Sequence, residues 1–242
     1  MPAARAAEID APFGILLAAE PASRPTHNGE PATALDPAQG AAWVKGNGAD
    51  ALKFFVQMRA DRPVNPDGRD TTAEALAAMR TLIADCAEVG VPCVIENLIF
   101  PLAGEEPLTP AARADAVIES ALLLDDLGPT MLKLEYPGSP ADCRRLADRL
   151  NAPWAVLSAG VSSDEFTQVL RVSCDEGGAS GFIAGRSVWR ETVAMDHADR
   201  VAFLRETGRR RFDEYVQTID GRAVPYWHKS SRASAAPQGR PA

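Results

Sequence analysis

The sequence predicts an α/β fold with a parallel sheet, and two patterns lead to this prediction. Six short apolar runs have the length of strands and are continuously apolar instead of alternating, which is typical of strands covered on both faces. Segments with helical periodicity lie between these runs. Because strands and helices alternate along the chain, the sheet should be parallel. The predicted strands are 14–20, 51–57, 93–100, 130–136, 154–160 and 181–187.

The helical segments between the strands have recognisable start and stop signals. The helix 70–89 is followed by Gly90, and its predicted inward stripe is Leu76, Met79, Ile83 and Cys86. The next two helices open on a hydroxyl residue followed by proline, at 109–110 and at 139–140. A capping box at 162–165 opens another helix. Two final helices are predicted around 196–207 and 209–219.

Composition and charge limit the function classes. The net charge of −8 disfavours nucleic acid binding, because phosphate contact needs a basic surface. Four cysteines without a CxxC pair and three scattered histidines give no metal-ligand spacing, so neither a metal nor a cofactor is expected. The sequence shows neither a signal peptide nor an apolar run of membrane-spanning length, and we predict a cytoplasmic protein with no membrane partner. A single domain over 1–228 and a disordered polar tail over 229–242 are expected.

Charged residues occur inside strands that should be buried. They are Lys53, Glu96, Lys133 with Glu135, and Arg186. Any one of them can belong to a sealed ion pair or can reach water from a strand end. Taken together, they indicate a site, because the carboxyl ends of parallel strands meet on one face of the sheet.

The residue types in this set suggest imine chemistry on a phosphorylated carbonyl compound. A lysine in an apolar strand should have a lowered pKa, and a second lysine nearby lowers it further, so Lys53 and Lys133 are candidate nucleophiles. Either Glu96 or Glu135 can then transfer protons. The turn 158–163 leads from a strand into a capped helix, which is a suitable place for a phosphate beside Gly185 and Arg186.

The same residues lie in blocks that resemble a known family. The blocks GILLAAE, GADALKFFVQ, VPCVIENLIF, MLKLEYP, APWAVLSAGVSSDEFTQVL and GASGFIAGRSVW resemble the tagatose-1,6-bisphosphate aldolase family of class I aldolases, which includes relatives that cleave 6-deoxy-6-sulfofructose 1-phosphate. The resemblance extends over residues 13–228. It implies a (β/α)8 TIM barrel and an enzyme that cleaves a phosphorylated ketose to dihydroxyacetone phosphate and an aldehyde.

The resemblance also implies a role for each site residue. Lys133 is expected to form the Schiff base, Lys53 to be the second active-site lysine, and Glu96 to transfer protons. Glu135 becomes a partner that tunes Lys133. The expected phosphate contacts are Ser158, Gly160, Gly185 and Arg186.

The sequence departs from the family pattern at its start. Only six of the eight strands are recognisable, and about thirteen residues precede the first of them, without the family's Asp-Gln-Arg block. A truncated gene product, complementation by another chain, and a degenerate phosphosugar-binding paralogue or sensor all account for this. A barrel enzyme that uses Lys133 only as a general base is a further alternative. The exposed sheet edges predict a homo-oligomer.

Overall fold

The computed structural model describes residues 14–227, and the chain divides into two compact units, Met1–Leu132 and Lys133–Ala242. The predicted α/β fold is confirmed, with six parallel strands at the six predicted places. The expectation of a single domain over 1–228 stays a prediction. The tail 229–242 lies outside the described residues.

The first unit alternates strands and helices. Its elements are β1 (Leu16–Ala18), β2 (Thr26–His27), β3 (Glu30–Pro31), α1 (Ala41–Gly46), β4 (Ala51–Val56), α2 (Thr71–Val89), β5 (Cys93–Asn97), α3 (Pro110–Asp125) and the first half of β6 (Met131–Leu134). β1 pairs in parallel with β4, and β4 with β5. This register sets Ala18 beside Lys53 and Phe55 beside Glu96.

The predicted start and stop signals of α2 and α3 are confirmed. The side chains of Asp70 and Thr109 accept hydrogen bonds from the backbone three residues later, and Gly90 ends α2 in the left-handed region with φ of 74°. The buried stripe of α2 is Ala75, Met79, Leu82 and Cys86. Leu76 and Ile83, predicted to point inward, are half-buried at the edge of this stripe. Their neighbours Ala75 and Leu82 occupy the buried positions instead.

A small antiparallel hairpin, β2 with β3, stands between β1 and α1, and the sequence patterns did not predict it. Each of its strands has two residues, which is too short for an alternating pattern. Long-range polar contacts hold it instead. The nearly buried Glu30 pairs with the guanidinium of Arg62 and accepts a hydrogen bond from the amide of Ala103 at 3.2 Å.

The second unit continues the alternation. It contains the second half of β6, α4 (Pro140–Ala147), β7 (Trp154–Leu157), α5 (Ser163–Asp175), β8 (Gly181–Ile183), α6 (Arg186–Trp189), α7 (His197–Phe203) and α8 (Arg209–Ile219). β7 and β8 pair in parallel. Edge-to-face contacts among Phe166, Phe182 and Tyr215 fill the core beside α8.

Two predicted boundaries in this unit are wrong. The strand predicted at 181–187 ends at Ile183, and Arg186 is the first residue of the short helix α6, after Gly185. The helix predicted at 196–207 stops being regular at Leu204, where a π-helical segment runs to Gly208. Across residues 14–227, no helix is both long and apolar enough to cross a membrane.

Candidate functional site

The strand β4 presents one partly accessible face near its carboxyl end. Burial alternates along the strand, with Leu52, Phe54 and Val56 buried, while Lys53 and Phe55 point to the other side and are half-buried. Successive strand residues point to opposite faces, so these two side chains share one face. The predicted lysine is therefore neither sealed in the core nor fully in water.

The ammonium of Lys53 lies between two carboxylates. Its Nζ contacts an oxygen of Glu20 and lies 3.3 Å from Oε2 of Glu96. The second oxygen of Glu20 accepts a hydrogen bond from the amide of Phe55 at 3.2 Å, which fixes the carboxylate beside the strand. The exposed fractions of the three side chains are all below a fifth, so these charges interact through little water. Carboxylates placed in this way can accept and return protons.

Glu20 is a site residue that the sequence patterns missed. It comes two residues after β1 and therefore at the carboxyl end of that strand, beside the carboxyl ends of β4 and β5. The signal was present, because Glu20 is the one charged residue of the apolar run 14–20. Applied to this run, the rule that found Lys53 and Glu96 would have found Glu20 as well.

Lys133 and Glu135 lie at the start of the second unit. Lys133 is half-buried on β6, in a strand where Leu132 and Leu134 are buried, and Glu135 is buried directly after the strand. The chain then turns at Pro137 and Gly138, where φ is 120°. The sequence predicts that Lys53 and Lys133 lie near each other. They belong to different units, and their proximity stays a prediction.

A strained turn follows β7 and contains two of the predicted phosphate contacts. The carbonyl of the buried Ser158 accepts from the amide of Val161 at 3.0 Å. Ala159 and Gly160 are both left-handed, with φ of 49° and 83°. A non-glycine residue in this region carries strain of about 1 kcal/mol or more, and such strain is concentrated at functional sites. The turn leads into α5, which Ser162 caps.

Two arginines meet this turn. The guanidinium of Arg186 lies so close to Gly160 that a Cβ added there would be 3.4 Å from Arg186 Cζ. Arg190 donates from Nη1 to the carbonyl of Gly160 at 2.7 Å. A Cβ added at Gly185 would be only 3.1 Å from Nε1 of Trp189. The structure thus brings Gly160 and Arg186 together, with Ser158 in the same turn.

The arrangement offers a lysine held by two carboxylates in the first unit and a cationic turn in the second. Among residues 14–227, no group of three or more histidine, cysteine, aspartate or glutamate side chains is placed to hold a metal ion. All four cysteines are buried free thiols. Burial raises the pKa of the Cys143 thiol to about 12 and that of Cys174 to about 11, so neither is disposed to act as a nucleophile at neutral pH.

Comparisons with known proteins find aldolases that are similar to this chain. The model of the DeoC/LacD family aldolases matches residues 16–191. Tagatose 1,6-diphosphate aldolase of Lactococcus lactis subsp. lactis is 24% identical over an alignment that covers 95% of this chain and 77% of that protein. Tagatose 1,6-diphosphate aldolase 2 of Streptococcus agalactiae serotype III (strain NEM316) is 23% identical, with 93% and 76% covered.

Solved structures support the fold class. An archaeal fructose 1,6-bisphosphate aldolase superposes with a TM-score of 0.57 at 18% identity and covers 84% of this chain and 73% of its own. A second archaeal structure, with the catalytic lysine covalently bound to the carbinolamine intermediate of the substrate, gives a TM-score of 0.55 at 17% identity, with 86% and 76% covered. These neighbours are TIM barrels, so the predicted fold class is confirmed, with six strands in the described part of this chain.

Proposed function

Because this chain belongs to the DeoC/LacD aldolase family, we propose that it is a class I aldolase that cleaves a phosphorylated ketose through a lysine Schiff base. The products would be dihydroxyacetone phosphate and an aldehyde. The observation that carries the proposal is Lys53, held between Glu20 and Glu96 at the carboxyl ends of three neighbouring parallel strands. Barrel enzymes place their catalytic groups at this end of the strands.

Lys133 is the proposed nucleophile. Its Nζ attacks the ketose carbonyl at C2, and the carbinolamine takes up a proton and loses water to give an iminium ion. A base removes the proton of the C4 hydroxyl, the C3–C4 bond breaks, and its electron pair enters the iminium to form an enamine. The aldehyde leaves, C3 is protonated, and water hydrolyses the new imine to release dihydroxyacetone phosphate.

Glu96 is the proposed proton carrier of this cycle, with Lys53 and Glu20 as its support. Lys53 bridges the two carboxylates, and Glu20 is anchored in turn by the amide of Phe55. A lysine in this position can stabilise negative charge on the C4 oxygen as the bond breaks. Glu96 is then left to move the proton.

The substrate phosphate is proposed to bind at the turn after β7 and the start of α6. The proposed contacts are Ser158, Gly160, Gly185 and Arg186. Support comes from the guanidinium of Arg186 against Gly160, and from the left-handed backbone at Ala159 and Gly160, which turns the chain there. Arginine and exposed backbone amides are the usual partners of a phosphate.

Borohydride trapping tests this function directly. The protein is incubated with dihydroxyacetone phosphate and reduced, and the adduct is measured by intact mass and located by peptide mapping. We expect one adduct, on the peptide that contains Lys133. Lys133→Met should abolish it, and Lys45→Met should retain it, because the ammonium of Lys45 donates to the carbonyl of Val89 on an exposed surface.

The outcomes of trapping separate the candidate functions. An adduct together with cleavage supports the aldolase. An adduct without turnover would favour a phosphosugar-binding relative instead. No adduct from folded protein that cleaves its substrate would show that Lys133 acts as a general base only, and the Schiff-base proposal would be rejected.

We also propose that the protein is cytoplasmic and acts as a homo-oligomer. The four buried free thiols fit a reducing compartment. Phe212 and Val216 lie one turn apart on α8 and are 47% and 44% exposed, which is typical of a contact surface. Light scattering of the purified chain, compared with Phe212→Glu, tests the assembly. A monomer in both proteins would contradict it.

A further inference from the structure

The segment between β1 and α1 sets an arginine over the accessible face of β4. The guanidinium of Arg24 lies over the ring of Phe55, with Cζ 4.1 Å from the ring centroid. Its Nη1 donates to Oε1 of Gln57 at 3.2 Å. Phe55 shares a face of β4 with Lys53, since residues two apart in a strand share a face, and Gln57 follows directly after the last residue of the strand.

The backbone beside Arg24 is restricted by proline and tied to the hairpin. Pro21 and Pro25 flank it closely, and each restricts the backbone dihedral φ. The carbonyl of Pro25 accepts from the amide of Ala32 at 3.0 Å, which extends the β2–β3 hairpin. The hairpin is held in turn by the contact between Glu30 and Arg62. Arg24 is therefore presented by an ordered support, although its side chain is exposed.

The contacts of Arg24 leave most of its hydrogen-bonding capacity open. A guanidinium has five N–H donors, and within residues 14–227 Gln57 is the one acceptor that Arg24 reaches. The remaining donors lie in the plane of the guanidinium group. Such a planar fork matches two oxygens of a phosphate or sulfonate.

Arg24 and Lys53 lie beside the same aromatic ring but differ in their partners. The Nζ of Lys53 is 5.8 Å from the same Phe55 ring. Arg24 Cζ is 4.1 Å from that ring centroid, so both cations lie beside the same aromatic side chain. Lys53 is already bridged by two carboxylates, whereas Arg24 has no carboxylate partner among the described residues.

We propose that Arg24 binds an anionic group, phosphate or sulfonate, on the aldehyde half of the substrate. The identity of that half rests on the proposed aldolase function. The anion site itself rests on the geometry of Arg24, Phe55 and Gln57. Arg24 would then decide whether the enzyme prefers an anionic aldehyde to a neutral one.

A kinetic comparison in the synthetic direction tests this role. With dihydroxyacetone phosphate as donor, kcat/KM is measured for glyceraldehyde 3-phosphate, for its 3-sulfonate analogue and for glyceraldehyde. Arg24→Ala should lower kcat/KM for the preferred anionic aldehyde by about 10- to 100-fold and leave glyceraldehyde within about threefold, since only an anionic aldehyde makes the charge-assisted bond that the variant loses. The larger loss identifies phosphate or sulfonate as the group.

Two further variants sharpen the comparison. Arg24→Lys keeps the charge but loses the planar fork, so it should retain part of the preference. Arg80→Ala, at an exposed arginine of α2, should change none of the three values. An equal loss for all three aldehydes in Arg24→Ala, or no loss for any, would overturn the proposal.

A binding measurement decides the anion site even if trapping at Lys133 fails. Inorganic phosphate is titrated calorimetrically into Arg186→Ala, which removes the other proposed phosphate contact, and into the double variant Arg24→Ala with Arg186→Ala. Phosphate binding that remains in the single variant and disappears in the double variant supports the site. The same binding in both variants, or none in either, rejects it.

Discussion

Two clusters of the first unit have the same charges but opposite properties. Each sets one cation between two carboxylates: Lys53 between Glu20 and Glu96, and Arg59 between Asp61 and Glu105. The side chain of Lys53 is 17% exposed, and that of Arg59 is 1% exposed. The clusters differ in the type of donor and in solvent access. The Lys53 cluster is therefore a candidate for catalysis, and the Arg59 cluster stabilises the fold.

The Arg59 cluster satisfies every donor it has. The guanidinium donates to both oxygens of Asp61, to both oxygens of Glu105 and to the carbonyl of Phe100, which uses its five N–H groups. These bonds hold the pKa of Arg59 above its usual range and the pKa of each carboxyl below its own, with the Arg59 hydrogen bond as the main cause for both acids. Nothing is left for a ligand.

The Lys53 cluster differs because an ammonium can give up a proton and a guanidinium in a protein does not. It is also reached from the accessible face of β4, beside Phe55. Equal charge therefore does not predict equal role. The donor geometry and the access to solvent decide between them.

The largest expected effect is on the rate, at Lys53. Lys53→Met should lower kcat/KM for the ketose by about 100- to 1,000-fold, the usual contribution of a group that stabilises charge developing in the transition state. The variant should stay folded, as judged by its thermal unfolding. Steady-state cleavage measures the loss, with Lys45→Met as the lysine control. A variant with full activity would show that the Lys53 cluster takes no part in catalysis.

The next effect is on stability, at Arg59. Arg59→Met removes the five hydrogen bonds of the guanidinium, while Asp61 and Glu105 stay partly exposed, so the free energy of unfolding should fall by about 1–3 kcal/mol. Denaturant titration measures this, and kcat/KM per folded molecule should stay close to that of the parent protein. A loss of activity without a loss of stability would show that Arg59 also belongs to the active site.

A smaller effect is the pH dependence of the Arg59 cluster. The folded-state pKa values of Asp61 and Glu105 are lowered, so the cluster stabilises the fold above the unfolded values of about 4 and loses this stabilisation as pH falls through the folded values. The melting temperature of the parent protein should therefore fall more steeply below about pH 4 than that of Arg59→Met. Parallel curves would show that the cluster has no such linkage.

The smallest effect is at an exposed pair. Arg209 and Asp213 lie one turn apart on α8 at 2.8 Å, with side chains 72% and 44% exposed. Asp213→Asn should change the free energy of unfolding by about 0.5 kcal/mol or less, because water screens the pair. A change as large as that at Arg59 would mean that burial is not what distinguishes ion pairs in this chain.

The sequence predicted those features that depend on local patterns. The strands, the capped helices and the meeting of Lys53 with Glu96 follow from periodicity and from the common direction of parallel strands. The β2–β3 hairpin and the Arg59 cluster could not be predicted in this way, because Glu105 is 46 residues from Arg59 and the hairpin has two-residue strands. The run GFIAGRS is apolar until its end and therefore predicts a strand that includes Arg186, which in the structure begins α6.

The contacts of Glu30 determine how the loops of the first unit can open. Its two oxygens join three separate loops, through Arg62 after β4 and Ala103 after β5, while the residue itself belongs to the hairpin after β1. Loops that share one buried carboxylate cannot come apart singly without leaving it unsatisfied. Their amide hydrogens should therefore exchange with deuterium at one common rate, as a single cooperative opening of these loops.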